Sequence, residues 1–249
     1  MWNPEWYDIY PPKKDLFLLT FANPSQMICM SPSFGIEDIP QKWESWFKEK
    51  LVRFPKLAVR EKSGVSIIEK LTGLSAQQII DPTLMLGKEE WQRLAFKPKF
   101  INADEKYILT YFLGEKSSHI SGHIKAIANE NGYKIFHLND ISDKRLYTVG
   151  PEEFIYLIWK SELILTDSFH ACVFSFIFER PFEVFARQSA HGNMMSRINT
   201  LLSTFHLERK YANSGLGNDI WEHDYTEGYK QLEIERKKAF DFLKKALEV

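Results

Sequence analysis

The sequence predicts an α/β protein built on parallel, Rossmann-type sheets, and three observations carry that prediction. The second half of the chain alternates short apolar strands with helical stretches, the signature of βαβ units. The segment Leu163 to Phe185 breaks an apolar strand with Thr166, Asp167, Ser168 and His170 and then resumes as an apolar helix. The 249 residues, 44% hydrophobic and 26% charged, suffice for a sizeable core in one large or two small domains.

The elements follow in order. Leu16 to Phe21 and Met27 to Met30 read as short strands, the second running into the small-residue loop Ser31-Pro32-Ser33-Phe34-Gly35. Gln41 to Arg53 carries Trp43, Trp46, Phe47 and Leu51 at helical spacing. Leu57 to Val59 is a brief strand that delivers Arg60, Glu61 and Lys62 ahead of a helix from about Ser63 to Leu71, stopped by Gly73. Gln77 to Ile80 is a further short strand, closed by Asp81-Pro82. The polar stretch from Phe96 to Lys106 reads as a linker. Beyond it, Lys106 to Leu113 is a strand, Ser118 to Asn131 a helix and Tyr133 to Leu138 the next strand. Gly150-Pro151-Glu152-Glu153 opens a helix through Lys160, with proline in its first turn and two acids that suit its dipole. Leu163 to Thr166 is a strand, and Pro181 to Phe185 another after the apolar helix. Thr226 to Leu247 is a charged amphipathic helix expected to pack back on the body. The resulting division is residues 1–100, residues 101–225 and the helix 226–249.

Composition narrows the functions. A net charge of −1 gives no global reason to expect nucleic acid or a membrane surface, so any anion site must be local. No apolar run reaches the roughly 18 residues of a membrane span, and the first ten residues are aromatic and acidic, unlike a signal peptide; the chain reads as cytosolic. Cys29 and Cys172 lie in apolar runs, as reduced buried thiols do, and there is no CxxC spacing, so no metal site is expected.

Polar groups at the carboxyl end of a strand mark a ligand crevice in an open α/β sheet, where the following helix also offers unpaired N–H groups. His170 falls in the first turn of that helix, where an imidazole has its pKa lowered, and Asp167 stands close by as an orienting or opposing partner; together they make an acid/base pair for neutral pH. The plainer reading has equal weight from spacing alone: Thr-Asp-Ser before a helix is also an ordinary N-cap cluster.

Six ordered blocks then carry a resemblance. Trp2-Asn3-Pro4, Ser31 to Gly35, Ala58-Val59-Arg60-Glu61-Lys62-Ser63-Gly64, Asp81-Pro82-Thr83, Gly150 to Phe154 and Thr166-Asp167-Ser168-Phe169-His170 together resemble the polysaccharide pyruvyl transferases, over nearly the whole chain to about Arg197. The resemblance implies a GT-B-like pair of Rossmann-type domains with the active cleft between them. It also implies transfer of a pyruvyl group from phosphoenolpyruvate onto sugar hydroxyls as a ketal, in bacterial exopolysaccharide biosynthesis for the cell envelope. No cofactor is implied, phosphoenolpyruvate being the donor substrate. The expected location is cytoplasmic, with a peripheral position at the inner membrane face as the alternative. A lipid-linked acceptor and a homo-oligomer are among the arrangements it allows.

The residues that match are chemically apt. A donor with a carboxylate and a phosphate needs Arg or Lys to fork onto it. Arg60 matches the family's strand-end arginine and is the first candidate, the alternative being a surface pair with Glu61. His170 matches the family's strand-end histidine and is expected to act as acid or base, or to touch the phosphate. With Asp167 it forms the catalytic set; Ser33, Lys62, Ser168, Phe169 and Arg197 complete the expected substrate contacts. Two departures stand out. Met1 to Pro4 aligns with the middle of the family's N-terminal domain, so that domain is expected to be incomplete, about a hundred residues short. Ser168 stands where several relatives carry arginine, so Arg197 or Lys62, or backbone N–H groups, must compensate. The competing functions are a nucleotide-sugar-dependent GT-B-like glycosyltransferase and a non-catalytic remnant or partner subunit.

Overall fold

The computed structural model describes residues 1–11, 13–102, 104–188, 195–212, 215 and 219–247. The chain forms two compact units. One comprises Met1–Met85, His191–Thr200 and Lys230–Val249; the other comprises Leu86–Ala190 and Leu201–Tyr229. Both are α/β with parallel strand pairing, as the sequence predicts.

The first unit begins with α1 (Pro4–Ile9) and α2 (Lys13–Phe17). The side chain of Asn3 caps the first by accepting from Glu5 N at 2.9 Å. The strand expected over Leu16 to Phe21 is therefore not formed. A run of this length is ambiguous by periodicity, and here it pairs with no described strand: Leu18 enters the core with Leu19 partly buried against it, while Leu16, Phe17 and Phe21 stay exposed. The strand expected at Met27 to Met30 reduces to a single parallel bridge, Cys29 to Leu57. Helix α3 (Gln41–Leu51) buries Phe47 and Leu51, and Trp2, Tyr7, Phe34 and Phe54 complete an aromatic core around them. Strands β1 (Ala58–Val59) and β2 (Gln77–Gln78) pair in parallel, joined by α4 (Lys62–Thr72). Gly73 ends α4 at φ 73°, a left-handed turn that glycine takes without strain.

The second unit opens with α5 (Lys88–Leu94) and carries a four-stranded parallel sheet. Its strands are β3 (Tyr107–Tyr111), β4 (Lys134–Leu138), β5 (Leu163–Thr166) and β6 (Phe182–Val184), in the spatial order β4-β3-β5-β6. The connections are α6 (Ser118–Asn131), then α7 (Lys144–Tyr147) and α8 (Pro151–Lys160), then α9 (Phe169–Ile177). Ile108, Leu163 and Leu165 pack with Ile120, Ile124 and Ile127 of α6 on one face of the sheet. On the other face Tyr107 donates to the Leu157 carbonyl of α8 at 2.8 Å, and Tyr111 meets Phe154. Side chains alternate along each strand, so one strand serves both layers. The chain leaves β3 toward β4 on one side and returns past it to β5 on the other; the crevice beyond the ends of β3 and β5 is thus the switch point of the sheet.

Helices α10 (Met195–Thr204) and α11 (Thr226–Leu247) each begin in one unit and end in the other. In the first unit α11 buries Leu232, Ala239 and Phe242, and Arg236 donates from Nε to the Leu84 carbonyl at 2.8 Å.

Candidate functional site

In the second unit the strand ends converge on a cavity of about 420 Å³. Tyr111 closes β3, Asn139 follows β4 and Ser168 follows β5; Tyr147 of α7 and Phe154 of α8 wall it, and His170 stands at its edge. Ser168 is the N-cap of α9, its hydroxyl accepting from Ala171 N. Thr166 donates its hydroxyl to the Tyr111 carbonyl at 2.5 Å and accepts from Ser168 N at 2.9 Å. These bonds lock the turn that carries His170 into the first turn of α9, where the residue is exposed while Phe169 beside it is buried. The two rings meet edge to face at 5.3 Å.

Asp167 has a structural task. It is 1% exposed, and its two carboxylate oxygens accept from Leu113 N at 2.7 Å and Gly114 N at 2.8 Å. Arg187, just past β6, brings Nε to 3.4 Å from that carboxylate and donates from Nη2 to the Asp167 carbonyl at 3.0 Å. Asp167 thereby ties the ends of β3, β5 and β6 together. The approach is close: a Cβ on Gly114 would lie 2.4 Å from the Gln188 carbonyl oxygen. Burial, with the Asp167 charge next, pushes the Tyr111 phenol above its ordinary range, so it stays a neutral donor.

In the first unit a second set of predicted residues gathers at the loop Ser31 to Gly35. Glu61 is fully buried; its Oε1 accepts from Ser33 Oγ at 3.0 Å, Phe34 N at 2.6 Å and Gly35 N at 2.8 Å, while Oε2 has no hydrogen-bond partner. Burial pushes the Glu61 carboxyl above its ordinary range, opposed by those bonds and by the charges of Arg60 and Arg197. Arg60 does not sit as a surface partner of Glu61. It leaves β1 to donate from Nε to the Ser31 carbonyl at 3.0 Å and pairs through Nη1 with the buried Asp81. Asp81 is in turn fixed by Thr83, whose N–H and hydroxyl donate to it at 2.9 and 2.7 Å. Lys62 is exposed at the start of α4, its N–H reaching Thr200 Oγ1 at 3.4 Å; Arg197 is half-buried in α10.

The structure therefore groups Arg60, Lys62, Arg197 and Ser33 in one unit and Asp167, Ser168, Phe169 and His170 in the other. Ser33 and Phe169 are buried within the framework rather than presented on an open face. The sequence reading missed Asp81, Arg187 and the ring-bearing wall of Tyr111, Tyr147 and Phe154. Asp81 and Phe154 fell within two of the six blocks without being assigned a role there; Arg187, Tyr111 and Tyr147 left no signal of their own. Among the described residues no group of three or more His, Cys, Asp or Glu side chains is placed to hold a metal ion, and no helix is long and apolar enough to cross a membrane.

No curated protein matches the chain. The family model for polysaccharide pyruvyl transferase matches residues 2–189, a span that contains every strand of both units and both the Arg60 and the His170 segments. With the parallel sheets and the strand-end residues in place, the chain belongs to the polysaccharide pyruvyl transferase family.

Proposed function

We propose that the chain transfers the pyruvyl group of phosphoenolpyruvate to two hydroxyls of a sugar in a cell-surface polysaccharide, forming a ketal. The observation that carries this reading is His170, exposed at the edge of a strand-end cavity on a turn fixed by Thr166, Asp167 and Ser168. The chemistry needs such a group. Protonating the enol methylene carbon makes C2 oxocarbenium-like, and a sugar hydroxyl bonds to C2 while giving up its proton. The C2–O bond to phosphate then breaks, and a second hydroxyl bonds to C2. One hydroxyl proton replaces the one delivered to the methylene, the other leaves with inorganic phosphate, and no oxidation occurs. His170 supplies and recovers the proton, Arg60 and Arg197 answer the donor's anionic groups, and Lys62 and Ser168 are further contacts. Asp167, Ser33 and Phe169 act by position, holding the loops that carry the others. No cofactor enters this scheme.

Calorimetric titration with phosphoenolpyruvate, beside a panel of nucleotide sugars, tests it. Wild type binds phosphoenolpyruvate; Arg60→Ala and Arg197→Gln weaken it roughly tenfold or more, the scale of a charge-assisted hydrogen bond. His170→Ala keeps donor binding and loses turnover. Because Arg60→Ala leaves Asp81 without its counter-charge, thermal midpoints are recorded alongside, and Arg197→Gln carries the test if Arg60→Ala unfolds. Silence toward phosphoenolpyruvate with clear binding of a nucleotide sugar overturns the reading in favour of a glycosyltransferase.

A further inference from the structure

The outer face of α11 in the first unit carries a pattern that packing does not require. Its inner face buries Leu232, Ala239 and Phe242. A helix packed in this way turns polar side chains to water, yet Ile234, Phe240 and Leu247 are 60%, 49% and 56% exposed. Exposed lysines stand between them: Ile234, Lys237, Phe240, Lys244 and Leu247 follow at spacings of three, three, four and three, so apolar and cationic side chains alternate along one stripe of the helix. The charge is segregated as well. From Arg236 to Leu247 there are five basic residues and one acid, Asp241, in a chain whose net charge is −1. Lys238 is answered by Glu235 at 3.4 Å, whereas Lys237, Lys244 and Lys245 form no ion pair with a described residue. Lys56 brings a further cation to the same end by donating from Nζ to the Lys245 carbonyl. A cavity of about 270 Å³ opens between α11 and Gln77 of β2, with Lys237, Lys238 and Lys245 around it, Asp241 as the acid in its lining, and Ile234 and Phe242 as its apolar walls. The negative end of the helix accounts for lysines in the last turn, but not for Lys237 or for the exposed apolar side chains.

We propose that this face of α11 docks the protein on an anionic lipid bilayer, with the apolar side chains entering the headgroup boundary and the lysines meeting lipid phosphates, one of them seated in the cavity. A bilayer surface offers both chemistries in a single plane. Apolar tips leave water at the acyl boundary, while lysine stems lie along it and keep their ammonium groups among the phosphates. The three apolar residues span roughly 20 Å of helix at the 1.5 Å rise per residue, a length that suits an extended flat surface. A second copy docked about a two-fold axis would set lysine against lysine. An acidic protein would answer the lysines and leave the apolar side chains unexplained. The attachment is peripheral, in keeping with the absence among the described residues of a helix able to cross a membrane. This inference does not rest on the transferase reading, because it uses neither Arg60 nor His170.

The test is co-sedimentation of the full chain with vesicles of phosphatidylcholine alone and of phosphatidylcholine mixed equally with phosphatidylglycerol. Wild type is expected to bind the mixed vesicles, less so as salt rises, and to ignore phosphatidylcholine alone. The double variant Lys237→Gln, Lys244→Gln should bind roughly tenfold or more weakly, since each lysine near an anionic surface is worth about fivefold. Phe240→Ser leaves the charge unchanged and should weaken binding roughly threefold or more. All three side chains are exposed, and thermal midpoints of both variants verify that the fold is kept. Glycerol phosphate at matched ionic strength separates a lipid surface from a free phosphate: it should leave the chain on the vesicles, and full release overturns the docking in favour of a soluble anion site. No binding to the mixed vesicles, equal binding to both kinds, or binding that neither variant weakens also overturns it. Self-association in place of vesicle binding, lost in Phe240→Ser, overturns it too and assigns the face to a second copy.

Discussion

Glu61 gives a prediction whose size can be worked from its bonds. One carboxylate oxygen holds the Ser33 hydroxyl and the backbone N–H groups of Phe34 and Gly35, and the other has no partner. Glu61→Ala orphans two buried N–H groups at about 1–3 kcal/mol each, about 2–6 kcal/mol in all, a large part of the roughly 5–15 kcal/mol that stabilises a domain. Glu61→Gln keeps one oxygen for those donors and removes a buried charge, so it costs less than half as much as the alanine. The pH dependence separates the two effects. Burial raises the folded-state pKa of Glu61 above the unfolded value of 4.5, so between those pKa values the folded state binds more protons. The contribution of this group to stability is then fully present below pH 4.5 and is lost as pH rises through the folded pKa. Urea midpoints from pH 4 to pH 8 should fall more steeply for wild type than for Glu61→Gln. Equal losses in the alanine and glutamine variants, or parallel pH profiles for wild type and glutamine, would refute this account.

Two further outcomes follow from the geometry. Asp167→Asn turns one accepting oxygen into a donor against either Leu113 N or Gly114 N and strips the half of the pair that neutralises Arg187, so a loss of about 3–5 kcal/mol is expected in urea unfolding; a loss under about 1 kcal/mol would show that the strand-end tie is dispensable. Cys29 and Cys172 are both free and buried, with burial pushing the Cys29 thiol up to about 12 and Cys172 further in the same direction; neither should react with a thiol reagent at pH 8 until the chain is unfolded, and fast labelling of the native protein would contradict that burial.

Local patterns made much of this fold legible. Helices α6 and α11 and strand β5 fall where the sequence places them, because their apolar spacing is unambiguous over their length and each has a clear start or stop. The turn from Thr166 to His170 was legible for the same reason. Pairings between distant residues were not. Arg60 was weighed against Glu61, its sequence neighbour, yet Glu61 is extended at φ −122° and ψ 150°, and consecutive side chains in extended chain point opposite ways. Glu61 consequently turns inward to the 31–35 loop, while Arg60 meets Asp81, brought near because β1 and β2 run side by side and both residues follow strand ends. The aromatic wall was invisible for a related reason: Tyr111, Tyr147 and Phe154 come from three elements, and nothing in their spacing shows that one cavity gathers them.

The interleaving of the two units along the chain bears on how the protein is made. During synthesis every strand of the second unit, β3 to β6, leaves the ribosome before α11 exists, whereas the first unit needs residues from Lys230 onward to cover Leu84 and to bury Leu232, Ala239 and Phe242. The first unit is thus completed only after the strands of the second, because the segment that holds Leu84 waits for α11 to be made. Such delayed closure of distant contacts is slow and leaves apolar surface open to misassociation, so a ribosome stalled before residue 230 should hold a folded sheet behind an unfinished start.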